Sequence, residues 1–130
     1  MPLRLGSAFE NGTDQYEALK KHLWFIISAP DPNGRVVIVN LTSWHGRKTD
    51  DPACIVDVGE HEFIHHKSYV NYADARSAEI GQLESLRQQD FLTLHADASP
   101  ALLRKIWNGA AKSKYMKGKY LAVLKSQGRV

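Results

Sequence analysis

The sequence predicts an α+β protein, a small β-barrel of short strands with helices packed on it. Three observations carry this prediction: a β-hairpin between residues 22 and 42, a change of hydrophobic period near Gly81, and a marked helix start at Ser99-Pro100. A parallel βαβ arrangement is disfavoured, because no helix of useful length separates the early strands.

The elements follow in chain order. Residues 5–15 are polar and turn-rich and predict an irregular lead-in, ending in a short helical stretch over Tyr16 to Lys21. His22 to Ala29 and Arg35 to Thr42 are rich in β-branched and aromatic residues, and they flank Pro30-Asp-Pro-Asn-Gly34. The Asn-Gly pair supplies the positive φ that a tight reversal requires. Both strands are apolar on both faces, which suits central strands of a covered sheet. Ser43 to Pro52 is a polar loop of mixed charge, and Ala53 to Val58 returns to alternation. Tyr69 to Tyr72 and Ala75 to Ile80 are two further short strand candidates. Leu83 and Leu86 then stand one helical turn apart. Ser99 and Pro100 take the N-cap and N1 roles of a helix whose buried stripe is Leu102, Leu103, Ile106, Trp107 and Ala110. Tyr115 to Leu124 fits either a helix or a short strand.

The 130 residues, 43% hydrophobic and 24% charged, suit one ordinary domain and exclude a disordered or fibrous chain. Its expected parts are the lead-in at 1–19, a barrel core at 20–80 and a helical, basic portion at 81–130. The longest apolar stretch, Leu23 to Ala29, is interrupted by Ser28 and stops at Pro30, well short of the roughly 20 residues that cross a bilayer. Met1 to Leu19 lacks the basic and apolar regions of a secretion signal. Cys54 is the single cysteine, so an internal disulfide is excluded and a reducing cytoplasm is the expected setting.

The net charge of +3 is unevenly spread. Residues 1–100 hold all 14 acids and 9 of the 17 Lys and Arg, a balance of −5, whereas 101–130 holds the other 8 bases and no acid. Such a segment suits a polyanion through counterion release; the plainer alternatives are a solvated helical face or docking on the acidic remainder of the same chain or of a second copy.

Three constellations bear on chemistry. His61-Glu62-Phe63-Ile64-His65 is a literal H-E-x-x-H, which on a helix would bind zinc through His61 and His65 with Glu62 as general base. Gly59 precedes it, and the apolar residues after it do not fall on a helical stripe, so its context argues for a loop or strand end and against a metal site. Thr42 and Ser43 close the second hairpin strand and meet a loop carrying His45, Arg47 and Lys48. Hydroxyls at a strand end can orient a phosphate while nearby cations offset its charge, although the same residues also serve ordinary turns. Lys20, Lys21 and His22 enter the first hairpin strand. With the turn centred between residues 32 and 33, residue 22 pairs near 43, which makes a single site plausible; the plainer alternative is a solvated strand mouth.

The run His22-Leu-Trp-Phe-Ile-Ile-Ser-Ala-Pro30, the short turn, Val36-Val-Ile-Val-Asn-Leu-Thr-Ser43, the polar loop and a further strand resemble the core of PemK/MazF-like toxins of type II toxin–antitoxin systems. Ser68-Tyr-Val70, a strand through Ala75 to Ile80, a helix from Leu83 and a closing helix at 100–112 suit the same order. The resemblance covers roughly residues 20 to 112, most of one domain. It implies an SH3-like barrel, a homodimer, a cognate antitoxin partner, and metal-free cleavage of single-stranded RNA with no cofactor, through a cyclic phosphate. By position it assigns Thr42, with Ser43 beside it, to the scissile phosphate, and the family's basic residue falls on Lys20-Lys21-His22. Catalytic roles thus fall on Lys21, His22, Thr42 and Ser43, and RNA contacts on Lys20, His45, Arg47 and Lys48. The family's Arg-Pro pair and its opening strand are absent from the sequence, the irregular lead-in standing in place of that strand. Two other functions fit the residues alone: a non-catalytic SH3-like module that binds nucleic acid or protein, and a zinc peptidase built on His61, Glu62 and His65.

Overall fold

The computed structural model describes residues 2–11 and 22–130. The predicted helical stretch over Tyr16 to Lys21, and with it Lys20 and Lys21, lies outside the described residues. Six strands and three helices follow in the order β1 (Ala8–Asn11), β2 (Leu23–Ile26), β3 (Arg35–Ser43), β4 (Ile55–Val56), β5 (Ser68–Glu79), α1 (Ile80–Gln88), β6 (Leu92–His95), α2 (Pro100–Lys112) and α3 (Gly118–Ser126). The strands form one antiparallel sheet in the order β4-β5-β3-β2-β1-β6, curled into a half-barrel. The α+β class and the barrel-type sheet follow the expectation.

The hairpin is the β2–β3 unit. Gly34 takes φ +75°, and the Asp31 carboxylate accepts from the backbone N–H groups of Asn33 at 2.8 Å and Arg35 at 2.9 Å, so the turn is held by its own residues. Alternation along these strands divides the interior in two. Leu23, Phe25, Ile27, Val37, Val39 and Leu41 face a core closed by Leu102, Ile106 and Ala110 of α2 and Leu124 of α3. Trp24, Ile26, Val36 and Ile38 face a second core closed by Leu83 of α1. Apolar residues on both faces of both strands are thus explained by helices on both sides.

Five expectations are corrected. β1 forms inside the supposedly irregular lead-in, between β2 and β6, because burying Ala8 and Phe9 outweighs the turn-rich local sequence. β6 lies within the portion expected to be helical; its four residues carry a pattern too short to register, and pairing with β1 decides its state. The Ala53 to Val58 strand shrinks to Ile55–Val56, since residues beyond it turn away at Gly59, φ +99°. The two candidates at 69–72 and 75–80 are one strand, β5, with a bulge: β5 advances from Asn71 to Arg76 while β3 retreats only from Asn40 to Ile38. The hairpin pairs Trp24 with Asn40, so His22 stands opposite Thr42, one residue from the predicted partner.

Ser99 caps α2, its hydroxyl accepting from Leu102 N–H at 3.1 Å, and the predicted stripe is buried except for Trp107, which is half-buried and donates from Nε1 to the Ile27 carbonyl at 2.8 Å. The ambiguous C-terminal stretch is the helix α3. Gln127 just beyond it pairs its side-chain amide with both backbone groups of Ala29, at 2.8 Å each, and latches the C-terminus to the hairpin. None of the described helices is long and apolar enough to cross a membrane.

Candidate active site

The open end of the β2–β3 hairpin, the 44–50 loop and the segment entering β5 enclose a cleft of about 250 Å³. It gathers His22, Thr42, Ser43, His45 and Arg47, which the sequence proposed for one site, and adds Phe63, His65, His66 and Ser68. Lys48 sits exposed on the same loop without lining the cleft.

His22 is fixed at its backbone and at its ring. Its backbone N–H donates to the Asn11 carboxamide oxygen at 3.0 Å, and that same oxygen accepts from Trp24 Nε1 at 3.0 Å. Its Nδ1 lies 3.0 Å from the Leu41 carbonyl. A carbonyl only accepts, so Nδ1 carries the hydrogen, and the neutral ring keeps its lone pair on Nε2. Across the ladder, the Thr42 hydroxyl is buried and has no hydrogen-bond partner among the described residues. Ser43 Oγ lies 2.7 Å from His66 Nε2. The next turn holds itself in place, Ser68 Oγ donating to the His66 carbonyl at 3.0 Å.

The cationic loop is preorganised. Asp50, its side chain 1% exposed, accepts from the N–H groups of His45 at 2.8 Å and Arg47 at 3.3 Å, and Arg47 Nε lies 3.5 Å from its second oxygen. Burial alone would push the Asp50 carboxyl up; the two N–H donors and the Arg47 charge outweigh it and hold the group below the usual carboxylate range. Trp44 packs edge-on against Tyr69, ring centres 5.8 Å apart, which anchors the start of the loop. Arg47, 62% exposed at its side chain, therefore stands at the rim on a rigid support.

The H-E-x-x-H residues do other work. Residues 61–63 form a bend and a turn and 64–65 are irregular, without a helix. His61 is buried, donates from Nε2 to the Ala96 carbonyl at 2.6 Å and accepts at Nδ1 from Phe63 N–H at 3.1 Å, so both ring nitrogens are occupied. Glu62 accepts from Ala96 N–H at 3.1 Å. Together they imitate a pair of ladder hydrogen bonds and join the segment after β4 to the end of β6, the two edges of the sheet. Lys105 of α2 secures the same segment through Glu60, at 2.9 and 3.0 Å. His61 and Glu62 form a structural seam, while Phe63, Ile64 and His65 line the cleft. No group of three or more His, Cys, Asp or Glu among the described residues is placed to hold a metal ion.

His66 is the residue that sequence reasoning missed. The His65-His66 doublet ahead of the β5 strand was its only trace, and nothing in spacing ties it to Ser43, 23 positions away.

A solved structure described as an endoribonuclease in complex with its cognate antitoxin, from Mycobacterial species, aligns with 86% of this chain and 93% of its own length, with a TM-score of 0.53 and 21% identity. At that identity the likeness is one of fold: this chain shares the architecture of that endoribonuclease. No family model matches the chain, and no curated protein sequence does so significantly.

Proposed function

We propose that this chain is the endoribonuclease toxin of a toxin–antitoxin pair, PemK/MazF-like, cutting single-stranded RNA without a metal. The observation that carries the reading is the cleft, in which a histidine with its lone pair on Nε2, an unpartnered threonine hydroxyl and a serine–histidine pair converge beside an arginine. The shared fold with an endoribonuclease supports it.

In this mechanism the ribose 2′-hydroxyl attacks the adjacent phosphorus, and its proton passes to His22 Nε2. The new P–O2′ bond forms as the P–O5′ bond breaks, and the leaving 5′-oxygen takes a proton from the imidazolium form of His66, oriented by Ser43. The products are a 2′,3′-cyclic phosphate and a 5′-hydroxyl. The Thr42 hydroxyl and the Arg47 guanidinium hold the non-bridging oxygens as charge builds on them. Lys21, next to His22 in the chain, adds positive charge, and Lys20, His45 and Lys48 hold the flanking backbone. The reading carries with it a cognate antitoxin, a homodimer and a cytoplasmic setting.

The test is cleavage of a mixed single-stranded RNA by purified protein in excess EDTA, with the ends analysed for cyclic phosphate. His22→Ala and His66→Ala should each slow cleavage by about 10²- to 10⁴-fold, the usual yield of a positioned acid or base. Undiminished cleavage in both variants sinks the site assignment. Intact RNA with demonstrably folded protein sinks the reaction, and salt-dependent binding without cutting would select a binding module.

A further inference from the structure

We infer that the α2–α3 end of the molecule is a second RNA-binding surface, which holds the single-stranded chain away from the cleft. The inference rests on the ribonuclease reading for the identity of the polyanion, and on its own observations for the surface.

Residues 101–130 contain eight Lys and Arg and no acid. Among the described residues only Lys105 pairs with a carboxylate, through Glu60, and none of the other seven has an ion-pair partner there. Among the described residues no other carboxylate pairs with this face; Asp31, which lines a groove with Lys119, is occupied by the N–H groups of its own turn. The net repulsion of the face is relieved by a polyanion, with release of the counterions that the RNA carries.

Charge alone would describe any basic helix, but here it is interleaved with aromatic rings. Lys114 Nζ lies 5.5 Å from the Tyr115 ring centre, Lys119 Nζ 5.2 Å and Lys117 Nζ 5.9 Å from Tyr120, and Arg129 Cζ 5.1 Å from Trp107. Tyr115 is 39% exposed and belongs to neither core, so its ring is open to a partner. Rings flanked by cations are what single-stranded nucleic acid uses: bases stack on the rings, and phosphates lie on the cations. An acidic protein would use the charges and leave the rings idle.

Tyr120 and Lys119 also line a groove of about 240 Å³ with Arg35 and Val37 at the start of β3. Thr42 and Ser43 are at the other end of the same strand, so the two surfaces stand about 20 Å apart at the usual strand rise. An RNA strand engaged at both gains the effective concentration of a tethered ligand.

The experiment measures anisotropy of a labelled single-stranded RNA of about 15 nucleotides, long enough to span more than one binding element, across about 50 to 200 mM salt. The protein is the full chain carrying His22→Ala to prevent cutting, with and without Lys112→Gln, Lys114→Gln and Lys119→Gln together, and separately with Tyr115→Ala. The triple variant should lower the slope of log K against log salt by about 2, at about 0.7 per single-strand phosphate contact. Tyr115→Ala should weaken binding at unchanged slope, because stacking carries no charge. Unchanged affinity and slope in the triple variant overturn the inference. A lysine effect without a tyrosine effect keeps the surface as an electrostatic RNA contact and overturns the stacking role of Tyr115. Binding through these lysines by a parent protein that leaves RNA uncut keeps this surface and removes the ribonuclease reading; cleavage with an unaffected triple variant does the reverse.

Discussion

Gly109 of α2 carries the closest contact between helix and sheet, and replacing it with alanine measures how tightly that junction is built. A Cβ at this position would collide with the Tyr72 hydroxyl and stand 2.7 Å from Cys54 Cβ and 3.0 Å from the Ala53 carbonyl oxygen. None of these can yield easily: Tyr72 is fully buried with its hydroxyl donating to the Ile106 carbonyl at 2.5 Å, and the other two belong to the segment that leads into β4. Alanine is favoured over glycine in a helix by about 1 kcal/mol. Against this stand about 1–3 kcal/mol of overpacking and, if the tyrosine is displaced, about 1–3 kcal/mol for a buried hydroxyl without a partner. The net expectation is destabilisation of about 3 kcal/mol. Urea unfolding followed by tryptophan fluorescence would show it as a fall in midpoint of about 1–3 M, for a slope of about 1–3 kcal/mol per molar. A Gly109→Ala variant as stable as the parent would refute the reasoning, since helix propensity would then have prevailed over the contact.

His61→Ala should destabilise by about 1–3 kcal/mol, because it strands the Ala96 carbonyl at the seam; an unchanged urea midpoint would mean that the seam does not hold the sheet edges together. Burial pushes the Glu60 carboxyl up, but the Asp57 N–H and Lys105 outweigh it and leave the group below its ordinary value. A carboxyl lowered on folding adds stability above its unfolded value, near 4.3, and loses it as the pH falls through the folded one. The gap in urea midpoint between parent and Glu60→Gln should therefore be present at neutral pH and close in acid; a gap unaltered by acid would contradict the assignment. Cys54 is 2% exposed and its thiol is pushed up to about 11, first by burial, so the native protein should resist a thiol reagent at neutral pH and react once unfolded. Rapid labelling of the native protein would show that the α2 junction opens.

The amino-acid sequence by itself determined the features governed by neighbours in the chain. The Asn33-Gly34 turn closes between adjacent strands, Ser99-Pro100 starts α2 by local capping, and the stripe from Leu102 to Ala110 declares its face by period. It also placed His22, Thr42, Ser43, His45 and Arg47 at one mouth, because a hairpin brings its two ends together whatever the rest of the chain does. Tertiary structure decided the rest. β1 and β6 are four-residue strands whose pattern is too short to register; β1 exists by pairing between β2 and β6, and β6 by pairing with β1. The His22 partner shifted by one residue because strand register answers to both cores at once. The His61-Glu62 motif looked like a metal site in one dimension and became a seam once Ala96, 35 residues on, was brought beside it. His66 reached Ser43 in the same way, through the turn that leads into β5. Spacing along a chain records what one helix face or one hairpin can assemble; a pair joined across a sheet edge leaves no such record, and only the folded molecule brings it together.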